Sequence, residues 1–216
     1  MTTLGLIAAL ILIPILLRVG MRLFASLFVR AALIKGAEDV GRRAVDKQPD
    51  TIHLTKRSPE VWAQPDAAGA LATPLLENGF EDVGTFAINE LPGVIVRLLV
   101  DAQAGLLGIV YEHPRVPHWV EVVTYFTSGG SATFTTLRPT GLAPRPGCTV
   151  THCPGIDAGA LLHRAIEERF THDIVKLTPD VAVRRFENAW SEYMTWRKQH
   201  PVSAREVGQV AQRRAA

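Results

Sequence analysis

Tyr111, Glu112 and His113 run into a loop bounded by Pro114 and Pro117, and His118 follows it. A carboxylate beside an imidazole orients the ring and favours its charged form, which is the arrangement of general acid–base chemistry. Asp101 and Glu121 are further acids expected on the same sheet. No G-x-S-x-G turn accompanies them, so a serine nucleophile is not indicated. Residues around a proline-containing loop are ordinarily solvated. Glu112, His113 and His118 are therefore acid–base candidates only if the fold closes a cleft over them.

Cys148 and Cys153 are separated by four residues, with His152 beside the second. Zinc sites use four ligands and usually C-x2-C pairs, so a further ligand would have to come from His163 or His113. The redox motif C-x-x-C is not matched either. Cys148, His152 and Cys153 are the metal candidates, and two ordinary thiols in a loop explain them better. No Walker-type G-x-x-x-x-G-K-[ST] and no G-x-G-x-x-G is present, so no cofactor is expected. Phe186, Trp190 and Tyr193, with Trp196, recur at helical spacing and read as packing against a sheet, Trp196 being the one suited to a partner or lipid.

The elements that carry these residues follow from periodicity. Ala67 to Asn78 reads as a helix stopped by Gly79. The period then changes to two, and Phe80–Ile88, Val94–Val100, Leu106–Glu112, Trp119–Phe126 and Ser131–Leu137 read as strands joined by short turns. Residues 138–155 hold four prolines and three glycines and read as an irregular crossing. Asp157 caps a helix reaching to Phe170, with Leu161, Leu162, Ala165, Ile166 and Phe170 inward. Pro179 opens a second helix, and Ser203 with Glu206 forms a capping box for a third.

The N-terminus has a different character. Met1 to Leu17 contains no ionisable side chain, and Arg18, Arg22, Arg30 and Lys35 follow it. A helix of that length spans about 25 Å, near the thickness of a bilayer core. The flanking charges predict a single-pass signal-anchor at the inner membrane of a bacterium, with the N-terminus outside and the C-terminal domain cytoplasmic. Arg18, Arg22, Arg30 and Lys35 would lie at the lipid surface. The expected organisation is an anchor with a basic continuation at 1–35, a linker at 36–66 and a globular domain at 67–216.

The expected fold class is α+β: the transmembrane helix, then a five-stranded antiparallel β-meander packed with one preceding helix and two to three C-terminal helices. The formal charge is +2, and residues 1–50 hold seven Lys/Arg against four Asp/Glu while 51–216 hold sixteen against seventeen. That distribution argues for membrane lipid at residues 1–35 and against nucleic acid as a partner. Two function classes remain. The first is a non-enzymatic module that binds a protein partner or a small, lipid-like apolar ligand. The second is a membrane-proximal enzyme using Glu112, His113 and His118. A pocket joining those three side chains would favour the second, and an apolar groove between sheet and C-terminal helices, without convergent titratable groups, the first.

Overall fold

The computed structural model describes residues 34–215. A helix, α1, covers 34–46 of these. It is followed by β1 (Leu54–Arg57), a single 3-10 turn at Pro59–Val61, α2 (Pro65–Glu77), β2 (Glu81–Ile88), β3 (Ile95–Asp101), β4 (Leu106–His113), β5 (Val116–Tyr125), β6 (Ser131–Thr135), β7 (Cys148–His152), α3 (Ala158–Glu168), α4 (Pro179–Gln199) and α5 (Ala204–Ala215).

The strands form one seven-stranded sheet in sequence order. Every neighbouring pair is antiparallel except β6 and β7, which run parallel. The five-stranded antiparallel meander is thus corrected to a seven-stranded mixed sheet. Both added strands lie where breakers or charge hide the pattern. β1 reads LTKR, with both cations exposed, inside the stretch expected as a linker. β7 reads CTVTH and sits within the proline- and glycine-rich crossing.

Strand alternation builds a core on each face of the sheet. Leu99, Leu106, Val110, Val120 and Phe134 point to one side and pack with Leu75 of α2 and Leu161 and Leu162 of α3. Val96, Leu98, Leu107 and Ile109 point to the other and pack with Phe186 of α4 and with Ile52. The central strands are apolar on both faces because both are covered. Trp62, Ile52 and β1 belong to this packing, so the ordered domain begins well before residue 67.

Helix ends are set by recognisable caps. The Asp157 side chain accepts the Ala160 N–H at 2.8 Å and starts α3. Pro179 stands in the first turn of α4. Ser203 and Glu206 form a reciprocal capping box at α5, with Ser203 N donating to Glu206 Oε2 at 2.9 Å and Glu206 N donating to Ser203 Oγ at 3.3 Å. Ile166 and Phe170, expected inward, are 47% and 68% exposed: Ile166 falls off the α3 face that buries Ala158, Leu161, Leu162 and Ala165, and Phe170 lies beyond the helix end at Glu168, edge-on to Phe126. In α1, Gly41 is buried where a Cβ would crowd Val202 and Val207, so the absence of a side chain is what lets α1 approach the start of α5.

Among the described residues no helix is long and apolar enough to cross a membrane. The longest, α4, has 21 residues and carries Arg184, Arg185, Glu187, Glu192, Arg197 and Lys198. α1 carries Lys35, Glu38, Asp39, Arg42, Arg43 and Asp46. This finding stands against the single-pass, signal-anchored inner-membrane reading, which is corrected accordingly. Residues 1–33, on which that reading rests and which include Arg18, Arg22 and Arg30, lie outside the described residues; Lys35 is exposed on α1.

Candidate functional site

The structure brings Glu112 and His118 together and leaves His113 apart. Glu112 points toward α2, and its Oε2 lies 2.9 Å from His118 Nε2. The same carboxylate accepts N–H bonds from Ala63 at 3.0 Å and from Gln64 at 3.2 Å, immediately before α2. It therefore fixes the segment that carries Trp62, whose ring lies 6.2 Å from the His118 ring and whose indole N–H donates to Thr85 Oγ1. His113, one residue on, takes the opposite face of β4, where its Nδ1 accepts the Arg115 N–H at 3.1 Å. Glu112→Ala is expected to destabilise the fold by about 2 kcal/mol, because two N–H groups and a partly buried imidazole lose their common partner. Faster hydrogen exchange confined to the Ala63 and Gln64 amides would register it.

The metal candidates are also separated. Along β7, residues 148, 150 and 152 share one face, so Cys148 and Cys153 lie on opposite sides of the sheet. Cys153 is buried in the α2/α3 core, where its Sγ accepts from Arg164 Nη1 at 3.4 Å. The two thiols cannot meet at one ion, and His152 lies on the Cys148 side of the sheet, across from Cys153.

Where His152 faces is the informative part of the molecule. In the sheet register Glu121 lies opposite Thr135, and Thr135 lies beside His152. Three strands thus place Glu121, Thr135 and His152 in one row on the α4 face. The row forms the floor of a cleft of about 750 Å³. Its walls are Leu137, Leu142, Pro144 and Val150, with Tyr193 of α4 at one side and Glu206 and Gln209 of α5 at the rim. None of the three side chains Glu112, His113 and His118 lines it.

The floor is polar and ordered. Tyr111 Oη donates to Glu121 Oε2 at 3.1 Å, and Trp119 Nε1 donates to Glu121 Oε1 at 3.3 Å. The two donors are stacked on each other, ring centroids 4.5 Å apart. Glu121 keeps some accessible surface and lines the cleft. Burial pushes its carboxyl above the usual range, against the hydrogen bonds from Tyr111, Trp119 and Thr135 that pull it down. His152 Nδ1 lies 2.8 Å from the Leu137 carbonyl oxygen. A carbonyl only accepts, so Nδ1 carries the proton and, in the neutral ring, Nε2 is left as a free acceptor. Compared with protein-family models, curated proteins and solved structures, the chain matches none of them. The site's own chemistry is thus the basis for a functional reading.

The carboxyl of Glu121 has a measurable consequence for stability. Its folded pKa is raised, so its contribution is fully present below the ordinary value of 4.5 and is lost as pH rises through the folded value. Glu121→Gln keeps the shape and removes the ionisation. The variant is expected to gain in melting temperature relative to the parent as pH rises from 4 to 8. Parallel melting curves at the two pH values check it, and a constant gap would rule out the buried carboxyl as its source.

A second polar cluster holds the roof of the cleft. Glu206 accepts N–H bonds from Ala143 and Ser203, each at 2.9 Å, and pairs with Arg197 Nη1 at 3.1 Å. Arg197 is only 3% exposed, donates from Nη2 to the Ala143 carbonyl at 2.7 Å, and stacks over Trp196 at 4.6 Å. Burial alone would raise the Glu206 carboxyl; the N–H groups of Ala143 and Ser203, the Ser203 hydroxyl and Arg197 hold it down at about 2. Loop 137–144, α4 and α5 are joined at this one point.

Proposed function

We propose that the domain binds a small, lipid-like molecule in the cleft floored by Glu121, Thr135 and His152. The observation that carries this is the cleft itself. Its volume of about 750 Å³ falls in the range of small-molecule sites, and Leu137, Leu142, Pro144 and Val150 stand over a floor of three polar residues, with Arg205, Glu206 and Gln209 on the α5 side. An apolar body would lie against Leu137, Leu142 and Val150, and one polar group would meet Glu121 and His152. Of the two occupants the sequence allows, a protein partner or a small apolar ligand, the concave shape and converging polar floor favour the second.

Native mass spectrometry of the full-length chain, purified without harsh detergent, tests the reading. The expected result is a reproducible added mass that is released on denaturation and absent from Val150→Arg. Val150 is 41% exposed, so the substitution places a charge in the wall without emptying the core. An unliganded mass, together with no thermal shift from a panel of fatty acids, isoprenoids and sterols, would overturn it.

A further inference from the structure

We propose that the cleft is also a proton-transfer site, with the Glu121 carboxyl as acid and His152 Nε2 as base, acting on a carbonyl compound seated over Thr135. The proposal rests on reading the cleft as a ligand site.

The first support is placement. Glu121 and His152 flank Thr135 in one cross-strand row, so their backbones are about 10 Å apart at two strand spacings. A separation of that order accommodates two contacts of about 3 Å plus the span from a carbonyl oxygen to its α-carbon. The second support is the proton inventory. The bond from His152 Nδ1 to the Leu137 carbonyl, 2.8 Å long, assigns the lone pair to Nε2. Glu121 is held from behind by Tyr111 and Trp119, and burial keeps its proton on to higher pH than in an exposed glutamate. Two titratable groups whose surroundings give them opposite roles across a largely apolar cleft are what enolisation requires.

Two of the hydroxyls that line the cleft, those of Thr135 and Ser203, are already engaged. Thr135 Oγ1 accepts the Leu137 N–H at 3.1 Å, and Ser203 Oγ donates to Glu206 Oε2 at 2.9 Å. Neither is set beside the His152 base as a nucleophile, so the chemistry is proton movement rather than acyl transfer. In the step, the α C–H bond breaks and its proton goes to His152 Nε2. The C–H electron pair becomes the new C=C bond, the carbonyl π pair moves to oxygen, and that oxygen takes the Glu121 proton. The product is an enol, and no oxidant, reductant or cofactor is consumed. Return of both protons regenerates the ketone, with hydrogen exchanged at the α-carbon or, for a β,γ-unsaturated ketone, the double bond moved into conjugation.

The test uses the full-length protein in D2O with 2-decalone and 3-cyclohexenone as probes. Proton NMR follows α-exchange and isomerisation, and saturation transfer reports binding in the same tube. The wild type is expected to exceed buffer rates by at least about 100-fold. His152→Asn keeps a donor for the Leu137 carbonyl and removes Nε2; Glu121→Gln keeps the shape and removes the acid. Both are expected to retain saturation transfer while the rate falls toward buffer. Saturation transfer with exchange at the buffer rate would overturn proton transfer and leave the ligand reading standing. Equal rates in wild type and both variants would also overturn it. No saturation transfer from either ketone, alongside a captured ligand in the native mass spectrum, would overturn the carbonyl substrate class alone.

Discussion

Glu206→Ala is expected to lower the unfolding free energy at pH 7 by about 3 kcal/mol, the cost of leaving a buried charge without its partner. Arg197 has 3% of its surface exposed, and its side chain is surrounded by Trp196, Tyr193 and loop 137–144. Without Glu206 its Nη1 and the N–H groups of Ala143 and Ser203 lose their common acceptor. The pH dependence identifies the source. The folded pKa of about 2 lies below the ordinary 4.5, so the stabilisation is present above 4.5 and is lost as pH falls from there through about 2. Taken whole, such a shift is worth about 3 kcal/mol; screening at this partly wetted rim reduces the linked part to about 2. Urea titrations should therefore show the gap between parent and variant at pH 7 shrinking by up to about 2 kcal/mol toward pH 2. A gap undiminished at pH 2 would mean the side chain acts by packing and not through its charge.

The same cluster shows what can be read from the residues alone. Ser203 and Glu206 are three apart before a helical stretch, and a capping box follows from that spacing alone. The partners that turn the cap into a clamp, Arg197 and Ala143, lie on another helix and on a loop, and no local pattern links them. The sheet divides similarly. β3 and β4 announce themselves through apolar runs, broken in β3 by Arg97 alone before its final Asp101. β1 ends in two exposed cations, as an edge strand does, and so carries no period-two signal. β7 is five residues long between prolines and pairs in parallel with β6, a contact made through a crossing and not a hairpin.

The site depends on that hidden pairing. In the sequence Glu121 is visible as an acid on the sheet and His152 as a histidine beside a cysteine. Only the β6–β7 register sets them on either side of Thr135. Proximity along the chain points instead to Glu112, His113 and His118. There the strand alternation that defines the sheet sends His113 to the opposite face, and Glu112 is engaged by the N–H groups that precede α2. Sequence neighbours on a strand are poor partners for chemistry, because their side chains diverge; partners sit on the next strand.

Gly130 tests the pairing directly, and Gly130→Val is expected to cost at least about 3 kcal/mol and to abolish ligand capture. Gly130 lies at the mouth of β6, where the chain entering β7 crosses it. A Cβ there would overlap the Gly147 carbonyl oxygen, with the carbonyl carbon 3.1 Å away. These are backbone atoms, so no side-chain rotation relieves the clash, and Ser131 N bonds to that same oxygen at 3.2 Å. Relief requires the two strands to separate at Ser131 and Cys148, the first pair of a ladder that ends at Thr135 and His152. The adjacent Gly129 is the control. It has φ +86° but no atom within 4 Å of where a methyl group would stand, so Gly129→Ala should keep the cleft. Its cost should be only the left-handed backbone penalty of about 1 kcal/mol. Urea midpoints for the two variants, with native mass spectra of each, separate the effects. If Gly130→Val unfolds at the parent's midpoint and still carries a ligand, then β7 does not pair with β6 as described, and Glu121 and His152 do not face one site.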